Sequence, residues 1–337
     1  MNFAASLPFN TAGHGSHPFG RRHREPRGAR RPVVLVAGFH GAGKTTLINR
    51  IIATSGTSAV VISEADDTAT AGAIPAGCIC CPSRGEMERV LADLVRDQAS
   101  GRISPFDHVV IETAGGADPS PLMKSLLDER NLGRHFHLAS VMAVVDAPTG
   151  AVTLRGSSTA QRQVAVADRI VVMRSALADE AALADLRGIV GGLNPSAPWI
   201  EDGDPDAAGD HLLRDGSLPF PRLDGPVLCE TMTDEHVSFR LEFPDPLPWA
   251  AFAAAMSLLS DMRGADLLRV KGLIAIEGCA GPVVIQIVQN VAQKPLELER
   301  WPRDEAASEL LFVTRGLAPA TVKDLFDAVI ALRKGTG

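Results

Sequence analysis

No apolar run in the 337 residues approaches the ~20 needed to cross a bilayer, which sets aside an integral membrane protein. Positive charge is not in excess either. With 33 Lys and Arg against 40 Asp and Glu, the formal charge is -7, so nucleic acid is not an expected partner. Cysteine is scarce. Five cysteines, an odd count, fit a reducing, cytoplasmic compartment better than a disulfide framework. No apolar h-region of the secretory kind is present. What remains is an ordinary globular composition, 45% hydrophobic and 22% charged, with a length that suggests two domains.

Residues 1–31 stand apart. The stretch GHGSHPFGRRHREPRGARR gathers six arginines and three histidines, His14, His17 and His23, among Gly and Pro. Such a piece buries too little surface to order itself, and it reads as a disordered basic arm or an early start site. A targeting peptide and a metal-catching tail are the other readings. From residue 32 the pattern changes. Apolar runs VVLVAG (33–38), AVVIS (59–63), HVVIE (108–112), SVMAVVDA (140–147) and RIVVM (169–173) alternate with helical stretches KTTLINRIIAT, GEMERVLADLVRDQ, SPLMKSLLDER and ALADLRGIVGGL. Buried strands alternating with helices predict an α/β domain over 32–201 with a doubly wound, mostly parallel sheet. Residues 202–226, rich in Asp, Gly and Pro, read as a linker. A smaller α+β domain over 227–337 follows. Its expected order is the strand HVSFRLEF, a helix at 248–260, a hairpin from LLRVKGLIAIEG and GPVVIQIVQNV, and a closing helix at 319–333.

GFHGAGKT, Gly38 to Thr45, fits G-x-x-x-x-G-K-[ST] and sits between a buried strand and a helix, where a phosphate loop belongs. Gly38, Gly41 and Gly43 free the backbone to wrap phosphate with its amides. Lys44 neutralises the outer phosphates, and Thr45 offers a hydroxyl to Mg2+. At the carboxyl end of strand 108–112, where open parallel sheets place ligands, stands Glu112. It is a candidate Mg2+ ligand, with a solvated strand-end acid as the other reading. Gly115 could bring its amide to a γ-phosphate, and Asp118-Pro119 reads as a capped helix start.

In AGCICCPSRGE (76–86), Cys78, Cys80 and Cys81 fall within four positions. In an extended chain 78 and 80 share a side, and the third sulfur needs a turn. Soft thiolates select Zn2+, Cu+ or similar ions, and a structural zinc site demands four ligands. Three local ligands leave the shell open, which suits an ion that must be given away or a position completed by water. Buried free thiols and a redox pair are the alternatives, although C-x-C-C is not the redox spacing.

Together the phosphate loop, GCICC and IETAGGADPSPL resemble the CobW family of P-loop GTPases, a metallochaperone group that includes nitrile hydratase activators and zinc-handling members. VVDA at 144–147, QVAVAD at 163–168, LNPSAP at 193–198, HVSFRL and LLRVKGLIAIEG extend the similarity over most of the chain. The resemblance implies that Gly38, Phe39, His40, Gly41, Ala42, Gly43, Lys44, Thr45 and Thr46 bind a triphosphate. It implies that Glu112 and Gly115 form the Mg2+ and γ-phosphate sensor and that Cys78, Cys80 and Cys81 hold a cargo metal, Zn2+ or Co2+. A client metalloprotein is the implied partner, and the segment from Ser63 to Cys78 is implied to change shape with nucleotide state. Two departures stand out. Where the family carries N-K-x-D for guanine, this chain has Met173, Arg174, Ser175 and Ala176, which leaves GTP against ATP open. After strand two it has Ser63-Glu64-Ala65-Asp66, with thirteen residues between Glu64 and Cys78, so Glu64 is either an added metal ligand or a loop acid.

Overall fold

The structure is a computed structural model that describes residues 30–55, 58–63, 84–128, 132–203, 236–301 and 308–334. Glu64, Cys78, Cys80, Cys81, Cys229, the arm through residue 29 and all but the first two residues of the expected linker lie outside them. The chain divides into two compact units, each described by itself.

In the first unit the order is β1 (Arg31–Gly38), α1 (Lys44–Ser55), β2 (Ala59–Ser63), α2 (Arg84–Ala99), β3 (His108–Glu112) and α3 (Ser120–Leu127). It continues with β4 (Phe136–Asp146), α4 (Gly150–Gly156), α5 (Ser158–Ala165), β5 (Arg169–Met173), α6 (Glu180–Leu193) and β6 (Trp199–Glu201). The six strands pair in the order β2-β3-β1-β4-β5-β6, and every pairing is parallel. Alternate side chains supply two cores. Val34, Val36, Met142, Val144 and Val171 pack with Leu47, Ile48 and Ile51 of α1. Ala143, Val145, Ile170 and Val172 pack on the other face with Leu154, Val164, Leu186 and Val190. Helices on both faces explain why these strands are apolar throughout, and each fully buried Leu or Ile contributes roughly 1.5–3 kcal/mol.

The second unit contains β7 (His236–Phe243), α7 (Trp249–Arg263), β8 (Leu267–Ile274), β9 (Val283–Val288), β10 (Val291–Ala292), β11 (Leu296–Glu297), β12 (Ser308–Arg315) and α8 (Pro319–Lys334). The sheet order is β10-β9-β8-β12-β7, with β11 added on β9, and all of these pairings are antiparallel. Phe239 and Phe312 stack at 5.1 Å, and Phe252, Met256 and Phe326 of the two helices close the core above them. A Cβ on Gly272 would lie 2.0 Å from the Glu309 carbonyl oxygen, so β8 needs glycine where β12 crosses closest.

Several expectations need correction. The expected arm ends too late, because Arg31 already pairs in β1 and its N–H donates to the His135 carbonyl at 2.8 Å. Helix α3 stops at Leu127, with Asp128 already outside it. The strand expected at 140–147 starts four residues earlier, and the helix expected at 248–260 extends to Arg263. The strand, helix, hairpin order omitted β12, which lies between β7 and β8. The helices α4 and α5 and the strand β6 were not expected either.

Candidate functional site

The parallel sheet places the carboxyl ends of β1, β3, β4 and β5 along one edge, with β1 at the point where neighbours switch from β3 to β4. A ligand crevice forms at such a switch point. The loop leaving β1 turns through Gly41 and Gly43, whose φ angles of 73° and 96° are left-handed. A Cβ on Gly43 would also come within 3.2 Å of the Met173 side chain. The Ala42 N–H donates to the Phe39 carbonyl at 3.2 Å, and Leu47 N–H donates to Gly43 O at 2.9 Å as α1 begins. The backbone therefore arrives at a helix amino terminus in the form that binds anions.

Lys44 is 8% exposed, and its ammonium donates to the carbonyls of Gly38 at 2.9 Å and Phe39 at 3.2 Å. Burial pulls its pKa below the usual lysine value, and the nearby Glu112 charge opposes that pull. The ammonium is thus largely stripped of water and held inside the loop. Thr45 is half-buried, whereas Thr46 and His40 are exposed. Glu112 is 1% exposed. Its Oε1 accepts from the Thr45 hydroxyl at 2.6 Å and its Oε2 from the Ser63 hydroxyl at 3.0 Å. Thr45 and Glu112 form a converged pair of hard oxygen donors, the chemistry that suits Mg2+.

Beyond Glu112 the chain is held against the phosphate loop. Thr113 N–H donates to Val36 O at 3.0 Å. Gly115 packs so closely that a Cβ would lie 2.6 Å from the His40 amide nitrogen and 2.7 Å from its ring. No larger residue fits there without displacing the loop. Asp118 accepts from the N–H and hydroxyl of Ser120 at 2.9 and 2.7 Å, as a helix start requires, and from Arg162 at 2.8 Å. Burial pushes its pKa up, but these hydrogen bonds and the Arg162 charge outweigh that and leave it below the usual aspartate value.

Sequence reasoning assigned no role to Gln163, 1% exposed on α5. Its Nε2 donates to the carbonyls of Ala117 at 2.8 Å and Gly115 at 3.4 Å. Asn194 then fixes the end of α5, donating to Val164 O and Ala167 O, both at 2.8 Å. QVAVAD and LNPSAP carried these two side chains, but only as stretches of resemblance. Replacing Gln163 by alanine should leave two carbonyls without their donor. A local loss of about 1–3 kcal/mol corresponds to roughly 5- to 150-fold faster amide exchange across residues 113–118. Unchanged exchange would deny Gln163 that positioning role.

At the far end of the crevice Arg174 adopts φ 59°, ψ 34°, and its Nε donates to Asp146 Oδ1 at 2.7 Å. Its Nη2 lies 2.6 Å from the same oxygen and 3.4 Å from the Gly41 carbonyl. Asp202, just past β6, accepts the Arg174 N–H at 2.7 Å, and the N–H and hydroxyl of Ser175 at 3.2 and 2.8 Å. Among the described residues no group of three His, Cys, Asp or Glu side chains is placed to hold a metal ion, and Glu64 and the three adjacent cysteines are not among those residues.

A family model described as the CobW/HypB/UreG nucleotide-binding domain matches residues 32–201, and one described as the cobalamin synthesis protein CobW C-terminal domain matches residues 236–330. The chain belongs to the CobW family. It is 28% identical to the zinc chaperone YjiA of Escherichia coli over 315 residues, covering 87% of this chain and 97% of that protein. The zinc chaperone CobW of Pseudomonas aeruginosa is 26% identical, over 85% of this chain and 87% of the relative. A zinc-regulated GTPase metalloprotein activator of Saccharomyces cerevisiae is 25% identical, over 77% and 74%. The crystal structure of zinc-bound YjiA GTPase from E. coli superposes with a TM-score of 0.69 at 27% identity, over 89% of this chain and 99% of that one. Within this CobW-family fold the phosphate loop, Glu112 and Gly115 come together at one edge. Among the described residues, no helix is long and apolar enough to cross a membrane.

Proposed function

We propose that this protein hydrolyses a nucleoside triphosphate and uses the cycle to load or release a transition metal, Zn2+ or Co2+, held by Cys78, Cys80 and Cys81 and destined for a client metalloprotein. The observation that carries this reading is the double engagement of Glu112. One oxygen accepts from Thr45 at the phosphate end, and the other accepts from Ser63, the last residue of β2, fifteen positions before Cys78 in the sequence. Thr45 and Glu112 would hold Mg2+, which would supply neutralisation of the triphosphate's negative charge. Lys44 meets the charge that builds on the transferring group, the amides of the loop and of α1 orient the phosphates, and Gly115, pressed on His40, senses the terminal phosphate. Any regrouping of Thr45 about a nucleotide alters what Glu112 offers Ser63. Relatives named zinc chaperones and a GTPase metalloprotein activator support zinc as cargo and a metalloprotein as client.

A second reading, a docking module with a weakened nucleotide site, draws on Met173 and Ala176. Lys44, Thr45 and Glu112 standing together favour hydrolysis over it. Zn2+ affinity measured in the GDP form and with a non-hydrolysable GTP analogue should differ at least about fivefold, the low end of an allosteric coupling of about 1–3 kcal/mol. Equal affinities would remove the coupled cycle.

A further inference from the structure

Resting on the nucleotide-binding reading, we propose that the base end of this site takes purine nucleotides without preferring guanine. The parallel sheet sets the loop after β5 beside the phosphate loop, and the β5–β6 pairing brings Asp202 to the same edge. Reading guanine takes a free carboxylate that accepts from N1–H and the 2-amino group, and a site built on such a bond rejects bases lacking those donors by about four orders of magnitude. At position 176, the place for that carboxylate, stands alanine. Position 173 is a thioether lying against Gly43 and has no amide to offer.

Among the described residues, the two carboxylates bonded to this loop are already committed. Asp146 gives Oδ1 to the Arg174 guanidinium, and Oδ2 to the hydroxyl and N–H of Thr149 at 2.5 and 3.2 Å. Asp202 gives Oδ1 to Ser175 and Oδ2 to the Arg174 N–H. To turn either toward a base would strip its donors, and with Asp146, 5% exposed, it would also break an ion pair at the floor of the crevice. One part of the base loop is retained. The Arg174 side chain still tethers that loop to the Gly41 carbonyl. Its guanidinium plane is half-exposed and pinned by Asp146, and such a plane stacks on any purine without reading its edge. Affinity then comes from the phosphates, through Lys44 and the loop amides.

The test is calorimetric titration of the full chain, in Mg2+, with GDP, IDP and ADP. Inosine keeps N1–H and lacks the 2-amino group, so it isolates the second guanine contact. The three should bind within about threefold of one another, and Ala176→Asp should favour GDP over ADP by at least about tenfold, the worth of a charge-assisted hydrogen bond. GDP binding tenfold or more tighter than ADP in the native chain would overturn the inference and leave nucleotide binding intact. A GDP to ADP ratio unmoved by Ala176→Asp would overturn it too, by removing position 176 from the base. Binding of none of the three would overturn both this inference and the nucleotide reading beneath it.

Discussion

Replacing Lys44 by alanine is expected to lower steady-state nucleoside triphosphate hydrolysis by about 10²–10³-fold, the loss that follows removal of one preorganised donor from developing charge. The ammonium is buried to 8% exposure and already sits between two loop carbonyls. It therefore needs no solvent reorganisation when a phosphate arrives. The same burial, which pulls its pKa down, makes it a cost to the empty fold. Relief of that cost offsets the loss of a donor to the Gly38 and Phe39 carbonyls, so the alanine variant should melt close to the parent, which separates lost turnover from lost structure. Hydrolysis that survived at parental rate in a folded variant would show that the phosphate loop does not carry the reaction.

The second large effect concerns the thiols. Cys80→Ser should weaken Zn2+ binding by roughly 10²–10³-fold, because four ligands share about 10–16 kcal/mol in zinc peptides. The Co2+ form of the parent should show thiolate charge-transfer absorption that weakens in the variant, which keeps two of the three sulfurs. Thiols must shed protons to ligate, so affinity should also fall as pH is lowered. Cys279 provides the control. Burial, with the Glu297 charge adding to it, pushes its pKa up to about 11, and Cys279→Ser should change neither signal. Co2+ bands of undiminished intensity in Cys80→Ser would remove Cys80 from the ligand set.

The phosphate loop was legible because its whole logic is local. Gly38 to Thr45 carry the turn, the charge and the hydroxyl within eight residues, and the apolar strand and helix flanking them confirm the context. Glu112 was legible for a related reason, standing at the end of an apolar run. What escaped depends on distant partners. Gln163 acts on carbonyls 46 and 48 positions away, so nothing in its neighbourhood betrays the bond. β12 escaped because a short connection between β8 and β9 suggested a hairpin complete in itself, whereas β8 takes its second neighbour from some forty residues downstream, Leu273 pairing with Glu309. The helices α4 and α5 lie in GAVTLRGSSTAQRQVA, where Gly, Ser and Thr interrupt the apolar period, and tertiary packing of Leu154, Ala160 and Val164 overrides those weak propensities. Arg174, Asp146 and Asp202 come from three separate strand ends. Only the pairing of β4, β5 and β6 makes them one cluster.

The single buried carboxylate shared by Thr45 and Ser63 also caps the volume of any message it relays. A hydroxyl bound to an ionised acid is worth about 1.5–3 kcal/mol, so letting one go re-weights two populations by some ten- to 150-fold and no more. A relay of that size works as a dimmer and not a latch. In the proposed cycle, nucleotide state would then shade the ion's affinity by that factor without fixing the ion outright in either state.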